Sequence, residues 1–202
     1  MNRQIALGIT TCLLIEVTLL AQSTPQHPLP PPAPANVTSS AALVSDKEPG
    51  TRLVVEGRVF APDGKTPVAG IYIYAYNSDA EGYYSAAKTF YPPRLTGYVK
   101  TDKDGRFEIR TIMPGRYPGA HVPAHIHFNL WGAGYPFQYA DEMRFAGDSY
   151  LTPVMIEKDK KSGEFALIRP VTSGPDGTLH STVNLKLIAH TNFPGELPDY
   201  LK

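Results

Sequence analysis

The chain is poor in the groups that most readily announce a chemistry. Of its 202 residues one is cysteine. That residue, Cys12, lies in an N-terminal apolar run; if the run is removed, a disulfide framework, a thiolate nucleophile and a cysteine-ligated metal are all excluded. Net charge is lacking too, since 19 Lys and Arg balance 19 Asp and Glu, and no nucleic-acid footprint is expected from that balance. Beyond residue 50 no stretch keeps a 3.6-residue apolar period, so a helix bundle is not expected. A metal in the mature chain has only nitrogen and oxygen ligands to draw on.

What is present falls into three parts. Residues 1–22 carry Arg3, an apolar run from Ile5 to Ala21 and then Gln22, the pattern of a secretory signal. Glu16 interrupts the run, which falls short of the roughly 20 apolar residues of a membrane span. Cleavage and export to a periplasm or the extracellular space are expected, with no stable membrane insertion afterwards. Residues 23–50 are rich in Pro, Ala, Ser and Thr, including Leu29-Pro30-Pro31-Pro32-Ala33-Pro34. They read as an extended or disordered linker. Residues 51–202 are the size of one domain.

That domain reads as short strands divided by turn chemistry. Leu53 to Phe60 precede the turn cluster Ala61-Pro62-Asp63-Gly64, and Val68 to Tyr76 follow it. In Ile71-Tyr72-Ile73-Tyr74-Ala75-Tyr76 the period of two puts three tyrosines on one face, which requires a sheet packed on both faces or covered by a loop. Asp102-Lys103-Asp104-Gly105 turns between two strands, with Gly105 at positive φ. The last hairpin is expected between 164–168 and 181–187, through Gly174-Pro175-Asp176-Gly177. The fold class expected is all-β, a β-sandwich of mostly antiparallel short strands.

The chemistry concentrates in Pro123-Ala124-His125-Ile126-His127-Phe128. On an extended chain residues i and i+2 point the same way, so His125 and His127 form a bidentate metal platform. A His-x-His also occurs on solvent-facing strands, but the apolar company of Phe128, Leu130 and Trp131 argues against an ordinary surface. Two further segments offer ligands, Tyr76 to Tyr84 and Thr111-Ile112-Met113-Pro114-Gly115-Arg116-Tyr117-Pro118. A phenolate is a hard anionic donor, and a nearby cation lowers its pKa from about 10. Two phenolates with two neutral imidazoles suit trivalent iron better than zinc or copper(I).

These segments, with Thr96-Gly97-Tyr98 to Phe107 and Phe145-Ala146-Gly147-Asp148, occur in the order and approximate spacing of the intradiol ring-cleavage dioxygenases. The chain resembles the catalytic domain of that family across about residues 53–190. The resemblance implies a mononuclear non-haem Fe(III) held by Tyr84, Tyr117, His125 and His127. It also implies a small aromatic diol and O2 as substrates, with Tyr84 taking a substrate proton. By the same resemblance, the ring is expected to be cleaved between its hydroxylated carbons, giving a muconate-type diacid. A homo-oligomer is allowed for.

Two positions depart from the family pattern. Val122 stands where an arginine usually precedes Pro-Ala-His, and Glu142 stands where a glutamine is usual. Arg144, on the same strand face as Glu142, is the candidate partner for it, and His121 and Arg116 are further candidates for the missing positive charge. Glu142, Arg144 and His121 therefore join Tyr84 as expected catalytic residues. Tyr72, Tyr74 and Trp131 are expected to pack, and Asp79, Asp102 and Asp148 to fix loops. The alternatives are a metal-binding family member without ring cleavage, and a transthyretin-like β-sandwich binding module.

Overall fold

The computed structural model describes residues 29–89 and 91–201. The expected signal segment and Cys12 lie outside the described residues. Eleven strands are present among those described: β1 Ser40–Ala42, β2 Arg52–Phe60, β3 Tyr72–Asn77, β4 Leu95–Lys100, β5 Arg106–Ile112, β6 His125–Gly132, β7 Tyr135–Tyr139, β8 Met143–Phe145, β9 Ile168–Arg169, β10 Thr172–Ser173 and β11 Leu179–Lys186. One sheet has the order β1-β5-β2-β11-β10, the other β4-β3-β6-β8-β9 with β7 also paired to β6.

Both sheets are mixed, so the expectation of mostly antiparallel strands holds only in part. The eight-residue ladder of β11 with β2 is parallel, as are β1 with β5 and β8 with β9. Alternation tells a strand which face is apolar, not which neighbour it will choose. The turn at 102–105 has the expected Gly105 at φ 72°, with the Asp102 carboxylate accepting from the N–H groups of Asp104 and Arg106. The strands it joins, β4 and β5, nevertheless lie in different sheets. Of the segment 164–168 only Ile168 lies in a strand, β9: Gly163–Phe165 forms a 3-10 turn, and the hairpin through 174–177 joins β10 to β11.

One α-helix was not expected. Helix α1, Pro153–Lys160, is capped by the Thr152 side chain, which accepts from the Met155 N–H, and buries no residue. With no apolar stripe it leaves no periodic signal, only the Thr-Pro start that favours a helix N-terminus. Among the described residues no helix is long and apolar enough to cross a membrane.

The core lies between the sheets, where Leu53, Val55 and Val59 of β2 and Phe107 and Ile109 of β5 meet Ile73 and Ala75 of β3 and Ile126, Phe128 and Leu130 of β6. Burying each large apolar side chain here stabilises by about 1.5–3 kcal/mol. The outer face of the second sheet carries a separate aromatic cluster, with Tyr74, Tyr76, Tyr84, Trp131 and Phe137 at its centre. Tyr72 packs at the edge of that cluster, stacked on Trp131 at 5.6 Å between centroids, so the tyrosine strand packs as expected. Leu29 and Ala33 from one end of the chain, and Phe193, Leu197 and Leu201 from the other, cover this face.

Part of the expected linker is therefore integral to the fold. Pro31 and Pro30 carbonyls accept hydrogen bonds from the Tyr98 and Tyr200 hydroxyls, β1 extends a sheet, and Leu43 joins the core. A proline-rich stretch cannot donate to a ladder but can lie along a surface as acceptor. Because the second sheet is covered on both sides, seven of the eight residues of β6 are buried. A one-residue register slip would drive both imidazoles into the apolar core, so the ladder β6 makes with β3 is strongly specified.

Candidate metal centre

The N-terminal end of β6 places His125 and His127 on the outer face of the second sheet, both buried. The His125 ring is oriented by its Nδ1, which donates to the Pro123 carbonyl at 2.7 Å. That contact fixes the tautomer and leaves the Nε2 lone pair facing the site. His127 lies opposite Tyr76 in the ladder, and the Tyr76 ring stacks on its imidazole at 4.5 Å and 14°.

Two loops bring the tyrosines to these rings. The loop after β3 carries Tyr84, and the segment after β5 carries Tyr117. They lie back to back: the Gly115 N–H donates to the Asp79 carbonyl at 2.8 Å and the Ser78 hydroxyl to the Gly115 carbonyl at 2.7 Å. The approach is close enough to require glycine twice. A Cβ at Gly115 would lie 2.5 Å from the Ala80 oxygen, and one at Gly82, which has φ 92°, would lie 1.9 Å from the Arg116 oxygen. Asp148 then ties the Tyr117 segment to the start of β6, accepting from Arg116 Nε at 3.0 Å and from the Ala124 N–H at 3.0 Å.

The result is a closed ring of four heteroatoms. Tyr84 Oη lies 2.5 Å from Tyr117 Oη, Tyr117 Oη 2.7 Å from His125 Nε2, His125 Nε2 3.0 Å from His127 Nε2, and His127 Nε2 2.8 Å from Tyr84 Oη. Four contacts need four protons to be hydrogen bonds. With both imidazoles neutral, the phenols supply two and His127 a third only if its proton sits on Nε2, one fewer than the contacts. A cation resolves that deficit. The four atoms, 2.5–3.0 Å from their neighbours in the ring, converge closely enough for one cation to touch all of them.

The donor chemistry also limits the cation. Among the described residues no group of three or more His, Cys, Asp or Glu comes together, so binding here depends on the phenols. Burial pushes the Tyr117 phenol up to about 12. Burial also raises Tyr84, as does the neighbouring Tyr117. Both are protonated at neutral pH without a cation, and a cation of high charge inverts that preference. The four residues fit a hard, trivalent ion.

The sequence profile of the dioxygenase family matches residues 28–188. The chain belongs to the intradiol dioxygenase family. The protocatechuate 3,4-dioxygenase beta chain of Burkholderia cepacia is 36% identical over 120 residues, covering 54% of this chain and 51% of its own. Catechol 1,2-dioxygenase 1 of Acinetobacter lwoffii is 31% identical over 157 residues, covering 67% of this chain and 48% of its own. This chain thus spans about half the length of the curated relatives it matches. Among solved structures, the dioxygenase domain of a dioxygenase carbohydrate-binding protein fusion from Streptomyces sp. SirexAA-E has a TM-score of 0.57 at 26% identity, covering 81% of this chain and 97% of that domain. Catechol 1,2-dioxygenase from Acinetobacter sp. ADP1, at 20% identity and a TM-score of 0.59 over 80% of this chain and 62% of its own, is alike in fold.

Around the four donors of this family member the other expected residues are placed unequally. Arg144 lies opposite His125 in the ladder of β6 with β8 and is ion-paired to Glu142. The Glu142 carboxylate lies 4.0 Å from His127 Nδ1. Arg116 is engaged by Asp148 and packs over the Tyr150 ring at 4.8 Å. His121, expected at the site, is exposed and packs edge-on against Tyr150 at 5.1 Å, a placement in the loop ahead of β6 that gives it a partner other than the four donors. Asp79 and Asp148 fix loops, as expected. Missed from the sequence were Tyr76, whose signal was its place in the alternating tyrosine strand, and Tyr91, stacked on Tyr84 at 6.1 Å and 3°, for which there was none.

Proposed function

We propose that this chain is an iron(III) dioxygenase that cleaves a catechol-type aromatic ring between its two hydroxylated carbons with O2, giving a muconate-type diacid. The observation that carries the reading is the closed ring of two phenol oxygens and two imidazole nitrogens, each 2.5–3.0 Å from its neighbours. Tyr84, Tyr117, His125 and His127 would hold the iron. When bound, it supplies a Lewis acid and template that holds the diol through its oxygens and readies the ring for O2.

The remaining work falls to the protein. Tyr84, on an irregular loop, is the group assigned to accept a proton from the diol. His125, locked by Pro123, and His127, held flat against Tyr76, keep their lone pairs on the site through the cycle. The aromatic surface of Tyr76 and Tyr91 excludes water beside it. The Glu142 carboxylate opposes an anionic diol, and the paired Arg144 offsets it.

The Glu142 charge beside His127 also favours a second reading, in which the chain binds metal and diol without cleaving the ring. One experiment separates the two. Purified, iron-loaded protein is expected to show a visible tyrosinate-to-iron absorption, to shift it on anaerobic addition of catechol, and to consume O2 when air is admitted. A shift without O2 uptake selects the second reading, and a colourless protein holding stoichiometric iron overturns both. Export is proposed from residues 1–22 alone and is tested by fractionating cells that express the full chain.

A further inference from the structure

Tyr84 lies in a stretch between β3 and β4 that has no ladder of its own, so something outside regular structure must hold its phenol against Tyr117 and His127. The backbone supplies part of the hold: the Tyr84 N–H reaches the Thr89 carbonyl only at 3.3 Å, but the Tyr83 carbonyl accepts from the Asp79 N–H and the Tyr84 carbonyl from the Arg94 N–H, both at 2.8 Å. The same residue acts through its side chain. The Arg94 guanidinium grips Glu48 through both carboxylate oxygens, at 2.6 and 2.7 Å, and reaches Asp79 Oδ2 at 3.1 Å.

Asp79 is the hub of the Tyr84 loop. Its Oδ1 accepts from the N–H groups of Glu81 at 3.0 Å and Tyr83 at 2.9 Å, and its carbonyl accepts from Gly115 of the Tyr117 segment. Glu48 belongs to the segment leading into β2, and its carbonyl accepts from Arg52. The carboxylates are largely withdrawn from water, at 12% and 15% side-chain exposure for Glu48 and Asp79. This is not an isolated surface ion pair of negligible worth: one planar guanidinium neutralises two mostly buried carboxylates, and lysine cannot reproduce its fork.

We propose that Arg94 is a positioning residue for the Tyr84 phenol, clamping the Glu48 segment to Asp79 and so fixing Tyr84 against Tyr117 and His127. Without the guanidinium, Glu48 and Asp79 repel each other across the gap it leaves, and the loop that carries Tyr84 moves outward. The clamp rests on the reading of Tyr84 as an iron ligand, and it predicts an electrostatic defect rather than a packing one.

The test compares the full chain with Arg94→Met, Arg94→Lys and the double variant Arg94→Met, Glu48→Gln. Arg94→Met is expected to bind iron about 10–100-fold more weakly in competition with a chelator and to shift the visible absorption. Arg94→Lys falls between it and wild type. The double variant, relieved of the repulsion, recovers at least half of the lost affinity on a logarithmic scale. In metal-free protein, amide exchange at Tyr83 and Tyr84 rises about tenfold in Arg94→Met while β6 is unchanged, which separates loosening of the loop from global unfolding. Iron affinity within twofold of wild type, or a double variant no better than the single, overturns the clamp and leaves the iron reading standing. Wild-type protein that binds no iron, or binds it without colour, overturns both.

Discussion

Replacing Gly115 by alanine tests whether the back-to-back approach of two loops builds the site. The substitution adds one methyl group. That methyl carbon would lie 2.5 Å from both the Ala80 oxygen and the Gly82 nitrogen, where ordinary contact begins at 3.4 Å, so the loops must part by nearly 1 Å. Neither obstacle is a side chain that can rotate away. Gly115 is not among the residues at positive φ, so backbone strain is not the cause. Overpacking of this kind costs about 1–3 kcal/mol. Weakening the Gly115–Asp79 and Ser78–Gly115 hydrogen bonds adds about 1 kcal/mol each. A loss of about 3–5 kcal/mol lowers the melting temperature of a protein this size by roughly 6–20 °C. Tyr84 and Tyr117, now 2.5 Å apart, separate with the loops, and a displacement near 1 Å can cost about 100-fold in turnover. Calorimetry of the metal-free protein and the visible spectrum of the iron-loaded one read the two effects separately. Gly119→Ala is the control: a Cβ there meets nothing within 4 Å, so only its φ strain of about 1–2 kcal/mol is expected, with the spectrum unchanged. A Gly115→Ala protein that melts within about 1 °C of wild type and keeps its full absorption would refute the argument.

Loading with Fe(III) should acidify a weakly buffered solution by about two protons per iron, because buried phenols must ionise to bind it; a pH electrode during titration shows whether they do. His127→Ala is expected to abolish the visible absorption while costing roughly 2–4 kcal/mol of stability from the vacated buried volume, measured by spectrum and denaturant unfolding. Tyr76→Leu removes the stack on His127 and should cost about 0.5–1.5 kcal/mol beyond the lost burial, with iron retained and its absorption shifted. Burial alone would raise the Asp148 carboxyl, but the N–H groups of Tyr150 and Ala124 and the Arg116 guanidinium outweigh it and hold it below the ordinary value. A lowered folded value gives stability that is present above about pH 4 and is lost as pH falls through it. Asp148→Asn should therefore unfold about 1–3 kcal/mol more easily at pH 7, a difference that shrinks as pH falls below about 4; a gap that stays constant on acidification would contradict it.

The local order of this chain determines a good deal unaided. Period-two alternation in Ile71–Tyr76 and in His125–Leu130 sends tyrosines and histidines to one face and Ile, Ala and Phe to the other, because a strand has no third direction. Gly105 had to stand at a turn with positive φ. The spacing of His125 and His127 makes them a pair in any extended conformation. Sequence could not set the partners of each strand, since the parallel ladder of β2 with β11 joins residues more than a hundred positions apart and depends on the whole core. Nor could it show that Leu29 to Ala33 lie over the tyrosine face, or that a polar eight-residue helix forms after Thr152. The decisive case is the site itself. Tyr84 and Tyr117 are 33 residues apart and lie on irregular loops, where no periodicity constrains a side chain. Their oxygens meet the two imidazoles because Gly82 and Gly115 admit a backbone contact and because Asp79, Arg94 and Asp148 tie each loop to its neighbours. Sequence supplied the donors; tertiary contacts alone set the 2.5–3.0 Å spacings that make four side chains one site.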